Sequence, residues 1–147
     1  MRASHVERRT TIQSFDWRTL ALVQREAPEI ATAYLTSDAD NVRDAGATAS
    51  PWTNGIRLAD HGSVPKMVKV AGGGIWSPNY RDLSEALVKE AKNLGLEVVP
   101  WTVNDPADME RLIDWGVDGI ITDYPDRLRD VMAGKRLPLP KPTPVSP

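Results

Sequence analysis

His5 and His61 are the chain's two histidines, and an imidazole beside a carboxylate can move a proton or hold a metal. His5 precedes Val6-Glu7 in a loose N-terminal lead and reads as a solvated side chain. His61, in Asp60-His61-Gly62, is better placed, although a plain loop residue has the same pattern. Asp38 and Asp40 have the spacing of oxygen ligands for Ca²⁺ or Mg²⁺. The rest of a calcium loop and its closing Glu are missing, so a turn or cap role is the simpler one. Asp105 and Asp108 fall where carboxylates offset a helix dipole. Gly72-Gly73-Gly74 is not followed by the Lys-Ser/Thr pair of a phosphate-binding loop and reads as pliant backbone before a strand.

Aromatic side chains are the stronger signal. Phe15, Trp76 and Trp101 each fall at the C-terminal end of a strand-like run. In parallel α/β folds that is the face where ligands are bound. Burial of a large ring in the core is the competing role for each. Asn104 could reach a ligand from the same face, but just ahead of Asp105-Pro106 it also reads as a helix cap.

The elements that must position these residues repeat. Strand-like pieces at Thr10 to Phe15, Ile30 to Leu35, Ala71 to Ser77, Leu96 to Val103 and Val117 to Thr122 alternate with helical patterns, which points to βα units and a parallel sheet. Asp16 should cap a helix with Leu20, Val23 and Ala27 on its buried face, ending before Pro28. Leu83, Ala86, Leu87, Glu90, Ala91 and Leu94 mark a helix stopped by Gly95. Met109, Leu112 and Ile113 mark one that begins at Pro106 and stops at Gly116. Leu128, Val131 and Met132 mark the last, with Pro125 in its first turn and Asp123 as its expected cap. Trp17 and Trp115 fall in helices and should pack. From 36 to 66 the period weakens into a long, partly helical insertion, placed after a strand where it would overhang the ligand-binding face. The domain spans 10–134, with 1–9 a lead and 135–147 a Pro-rich tail whose end should be extended.

The chain has 147 residues, 41% hydrophobic and 26% charged, with no Cys and a formal charge of −2. One globular domain fits those figures. The lack of Cys removes disulfides, thiolate zinc sites and Cys nucleophiles. Balanced charge gives no electrostatic footprint for nucleic acid, and no apolar run approaches the roughly 18 residues of a membrane span. Met1 to Thr10 carry no apolar export signal; any signal peptide would lie upstream, so the compartment, cytoplasmic or periplasmic and secreted, stays open.

Val99-Pro100-Trp101-Thr102-Val103-Asn104, followed by Gly116-Val117-Asp118-Gly119-Ile120-Ile121-Thr122-Asp123-Tyr124-Pro125-Asp126, resembles the C-terminal signature of the glycerophosphodiester phosphodiesterases. Ile12-Gln13-Ser14-Phe15-Asp16 with Leu20, Pro28-Glu29-Ile30 leading to Tyr34-Leu35, and Ile75-Trp76-Ser77-Pro78 match in the same order. The resemblance implies an α/β fold corresponding to part of a (β/α)₈ TIM barrel, its last five βα units with parallel strands. It implies hydrolysis of a glycerophosphodiester to an alcohol and glycerol 3-phosphate with a divalent cation, Mg²⁺ or Ca²⁺. The family's metal ligands and catalytic His pair belong to a part of the pattern ahead of these motifs, so the isolated chain should be inactive. By the same resemblance Ser14, Phe15 and Trp101 line the glycerol side of the pocket, while Trp76 and the insertion around Trp52 shape the alcohol side.

Two other readings stand beside this one. Five βα units leave two open strand edges, which suits a non-catalytic binding or assembly module that self-associates or pairs with an N-terminal partner. A phosphatidylinositol-type phospholipase is also a phosphate-handling barrel, but the Trp-Thr-Val-Asn and Thr-Asp-Tyr-Pro segments favour the glycerophosphodiester group.

Overall fold

The computed structural model describes residues 6–37 and 41–141. Strands β1 (Thr11–Ser14), β2 (Ala31–Thr36), β3 (Ile75–Pro78) and β4 (Glu97–Val98) form one sheet in the order β1-β2-β3-β4, every neighbouring pair parallel. Helices α1 (Trp17–Glu26), α2 (Leu58–His61), α3 (Val64–Val70), α4 (Glu85–Asn93), α5 (Pro106–Asp114) and α6 (Pro125–Gly134) connect or follow them. This is the parallel α/β arrangement expected of consecutive βα units.

Register sorts the side chains onto two faces. Ser14, Tyr34, Trp76 and Val98 stand side by side across the four strands. Tyr34, Trp76 and Val98 in that row are buried against the helices. Tyr34 meets Trp17 of α1 edge to face at 5.1 Å and donates its hydroxyl to the Ala71 carbonyl at 2.8 Å. Burial pushes the Tyr34 phenol above its ordinary value, opposed by the Gln24 amide hydrogen bond. On the opposite face Gln13, Ala33, Ile75 and Glu97 are in register, and Gln13 and Glu97 are exposed there.

Helix ends follow local chemistry. Asp16 caps α1 by accepting the Arg18 amide at 3.0 Å, Ser84 caps α4 and Asp105 caps α5. Gly95 and Gly116 take positive φ just past α4 and α5, where the chain must turn out of the helix. Trp17 opens α1 fully packed, and Trp115 follows α5 with the Arg111 guanidinium over its ring at 4.7 Å.

Three expectations need correction. The run from Leu96 to Val103 is a regular strand only over β4, although its alternate amides go on bonding β3, Val99 to the Trp76 carbonyl and Trp101 to that of Pro78, and Trp101 bridges Asn79. Pro100, with no N–H to give, faces segment 117–122 instead. Segment 117–122 is not a regular strand. It follows the sheet through three backbone bonds, Asp118 to Val98, Ile121 to Pro100 and Val103 to Ile121. As read from the sequence, Gly72-Gly73-Gly74 precede the strand, which starts at Ile75; Gly72 sits at positive φ and Gly73 lies where a Cβ would meet Val68 Cγ1 at 2.6 Å and Tyr34 at 2.9 Å. In α4 the buried stripe is Val88 and Ala91 rather than Ala86, and Glu90 is accommodated by an ion pair with Lys66 at 3.2 Å. Residues 36–66 contain α2 and the start of α3, which runs on to Val70. Asp38, Asp40 and His5 lie outside the described residues.

Candidate functional site

The C-terminal ends of the strands gather Phe15 after β1, Ser37 after β2 and Trp101 beyond β4. The insertion adds Asn41 and Trp52. These five line one cleft of about 330 Å³. Phe15 is 37% exposed and Trp52 42% exposed, so two large rings are kept accessible at its rim. Phe15 and Trp101 meet at 5.5 Å with their planes at 89°, an edge-to-face pair. The Trp101 indole N–H donates to the Ser77 carbonyl at 2.8 Å, which fixes the ring.

Asn41, only 4% exposed, joins the cleft's separate parts. Its Oδ1 accepts the Ser37 amide at 2.7 Å, and its Nδ2 donates to the carbonyls of Leu35 at 3.3 Å and Phe15 at 3.5 Å. Its own carbonyl accepts the Ser50 hydroxyl at 2.6 Å. One amide thus ties the exits of β1 and β2 to the insertion. In the sequence Asn41 stands in the polar stretch that opens the insertion. The signal that could have singled it out is Val42, an apolar residue in a polar stretch that proves wholly buried.

The other predicted site residues are placed differently. Ser14 is half-buried on the helix-facing row, and its hydroxyl accepts the Asp16 amide at 3.0 Å, so it supports the start of α1 and does not line the cleft. Trp76 is 2% exposed in the core and donates its indole N–H to the Thr36 hydroxyl at 2.8 Å. As the in-register neighbour of Tyr34 it faces the helices, and it is not among the residues lining the cleft.

Asn104 does not cap a helix; Asp105 does. Its Oδ1 accepts the Asp123 amide at 3.0 Å and the Thr122 hydroxyl at 3.1 Å, while Nδ2 donates to the Asp123 carboxylate at 2.9 Å. Asp123 is therefore engaged with Asn104 rather than capping α6, whose cap position is Tyr124 with no side-chain bond. Arg127 closes the group, donating to the Asn104 carbonyl at 3.4 Å and lying over the Tyr124 ring at 3.9 Å. His61 ends the short helix α2 and is not among the residues lining the cleft.

Next in sequence to Phe15, Asp16 has both oxygens gripped by the Arg18 side chain, which holds its carboxyl below the ordinary aspartate value. The cleft's described lining offers a hydroxyl, an amide and three rings. That donor set does not suit Mg²⁺ or Ca²⁺, which take several carboxylate or carbonyl oxygens. Among the described residues no group of three or more His, Asp or Glu is arranged to hold a metal, and no helix is long and apolar enough to cross a membrane.

Residues 2–127 match the model of the glycerophosphoryl diester phosphodiesterase family. The glycerophosphodiester phosphodiesterase of Caldanaerobacter subterraneus is 31% identical over 83% of this chain and 42% of its own length. The glycerophosphodiester phosphodiesterase of Bacillus subtilis is 46% identical over 57 residues, 39% of this chain and 20% of that protein. A solved glycerophosphoryl diester phosphodiesterase-type structure from Silicibacter pomeroyi superposes with a TM-score of 0.74 at 37% identity, covering 92% of this chain and 42% of that one. The chain therefore spans about two-fifths of the length of such relatives.

Proposed function

Because this chain belongs to the glycerophosphoryl diester phosphodiesterase family, we propose that it forms the substrate-side wall of a site that hydrolyses glycerophosphodiesters to an alcohol and glycerol 3-phosphate. In that reaction the oxygen of water ends on phosphorus, the bond from phosphorus to the alcohol oxygen breaks, and the alcohol leaves with a proton. The observation that carries the reading is the convergence of Phe15, Trp52 and Trp101 on one cleft at the strand ends. Phe15 and Trp101 take the apolar edge of the glycerol, and Trp52 faces the alcohol. Asn104 acts by holding the last loop through Asp123, and Ser14 by fixing the turn that presents Phe15.

The cation and the proton-transfer groups are not supplied by this cleft, whose donors do not suit them. On this reading they come from residues outside the chain, in keeping with its coverage of about two-fifths of its relatives. The purified chain assayed on glycerophosphocholine with Mg²⁺ or Ca²⁺ is expected to give no turnover, because removing a cooperating catalytic set costs many orders of magnitude. Metal-dependent hydrolysis by the chain alone would overturn this assignment.

A second reading, a binding or assembly module, is favoured by one feature. β1 has a ladder partner on one side only, and segment 117–122 follows the sheet at its other end. Open parallel edges favour association with another chain. Sedimentation velocity decides: a concentration-dependent dimer supports this module, and a monomer at all concentrations counts against it.

A further inference from the structure

Trp52 enters the cleft from segment 45–57, which contains no helix or strand yet is fastened at several points. Asn41 anchors it through Ser50, whose hydroxyl also accepts the Trp52 amide at 3.3 Å. Asp44 spans the segment: its two oxygens accept the amides of Leu58 at 3.0 Å and Ala59 at 2.9 Å, the first two of α2. Inside the segment Thr53 donates its hydroxyl to the Ile56 carbonyl at 2.7 Å. The Trp52 carbonyl accepts the Trp17 amide at 2.9 Å, one of the N–H groups that α1 leaves without an intrahelical partner. Backbone and side chain together fix the residue that carries the exposed indole.

A lid that opens and closes is drawn from weakly bonded backbone. This segment has the opposite construction, with its ordering cost met before any ligand arrives. We propose that Asp44 and Asn41 are positioning residues that hold segment 45–57 as a fixed wall, and that Trp52 on this wall sets how large an alcohol group the cleft admits. The inference rests on reading the cleft as the substrate-side wall, and it adds the residue that selects and the residues that hold it.

The wall can be read in the free, full chain labelled with 5-fluorotryptophan, whose five tryptophans give five fluorine resonances; Trp52→Phe assigns one. Asp44→Ala and Ser50→Ala are expected to shift and broaden the Trp52 line and leave those of Trp76 and Trp115 in place. Asp44→Asn, which keeps one acceptor oxygen, restores most of the line. An unmoved Trp52 line in Asp44→Ala, or collapse of all five lines in both alanine variants, overturns the positioning role. Size selection is read from the Trp101 line during titration with glycerophosphoglycerol and the bulkier glycerophosphoinositol. Trp52→Ala should move the affinity ratio toward the bulkier probe by about tenfold, the order expected when a pocket wall is cut back. An unchanged ratio overturns size selection alone. No response to either probe overturns it together with the reading of the cleft.

Discussion

The two ends of the sheet are held by different means. From β1 to β3 the strands run in continuous parallel register, with Tyr34 and Trp76 packed beneath them against α1 and α3. Segment 117–122 has three backbone bonds to its neighbour, and side chains hold it where a ladder is missing. At its start Asp118 accepts the Val98 amide at 2.8 Å and pairs with Lys92. At its end Asn104 takes the Asp123 amide and the Thr122 hydroxyl. Close packing fixes the first region; a few polar side chains fix the second. In both, the strand exits, where the site lies, are set by polar side chains, Asn41 at one end and Asn104 at the other.

That contrast can be broken in order of effect. Trp76→Ala should cost most, about 3–5 kcal/mol by the usual range for a buried aromatic, read by denaturant unfolding. Asp118→Ala should cost about 1–3 kcal/mol, since it strands the Val98 amide and removes a charge-assisted bond. Hydrogen exchange should then rise across 117–122 while β1 to β3 keep their protection. Equal loss of protection in both regions would mean that the last segment is not separately fastened. Asn104→Ala should cost about 1 kcal/mol and loosen Thr122 to Tyr124.

Acid should act on the insertion before the core. The Asp44 carboxyl is held below its ordinary value, chiefly by the Ala59 amide and then by that of Leu58 and the charge of Arg57. Its contribution to stability is therefore present above the unfolded aspartate value of about 3.9 and lost as pH falls through the lower folded value. The Trp52 resonance should move only below about pH 4, and Asp44→Ala should remove that step.

The repeating βα pattern was legible in the sequence because strand-like runs and helical stripes alternate, with Asp16, Gly95 and Gly116 marking helix boundaries. Phe15 and Trp101 were legible for a related reason: each follows a β-rich run, and that position alone puts it at the strand exits. Trp76 has the same pattern, but one residue of register decides which face it takes, and register depends on pairing that a single sequence does not display. Asn41 and Asp44 escaped notice because their partners are backbone amides and carbonyls, Leu58 and Ala59 lying 14 and 15 residues beyond Asp44. Asn104 looked like a cap because Asp-Pro follows it, yet its amide is taken by a loop 19 residues further on.

The central claim is that Phe15, Trp52 and Trp101 face a glycerophosphodiester, and the most direct measurement is titration of the purified chain with glycerophosphocholine, followed by tryptophan emission. The account predicts a saturable change that weakens in Phe15→Ala, at an exposed residue whose loss should leave the fold intact, and disappears in Trp101→Ala. No saturable change, or one that survives both substitutions in folded protein, would contradict it.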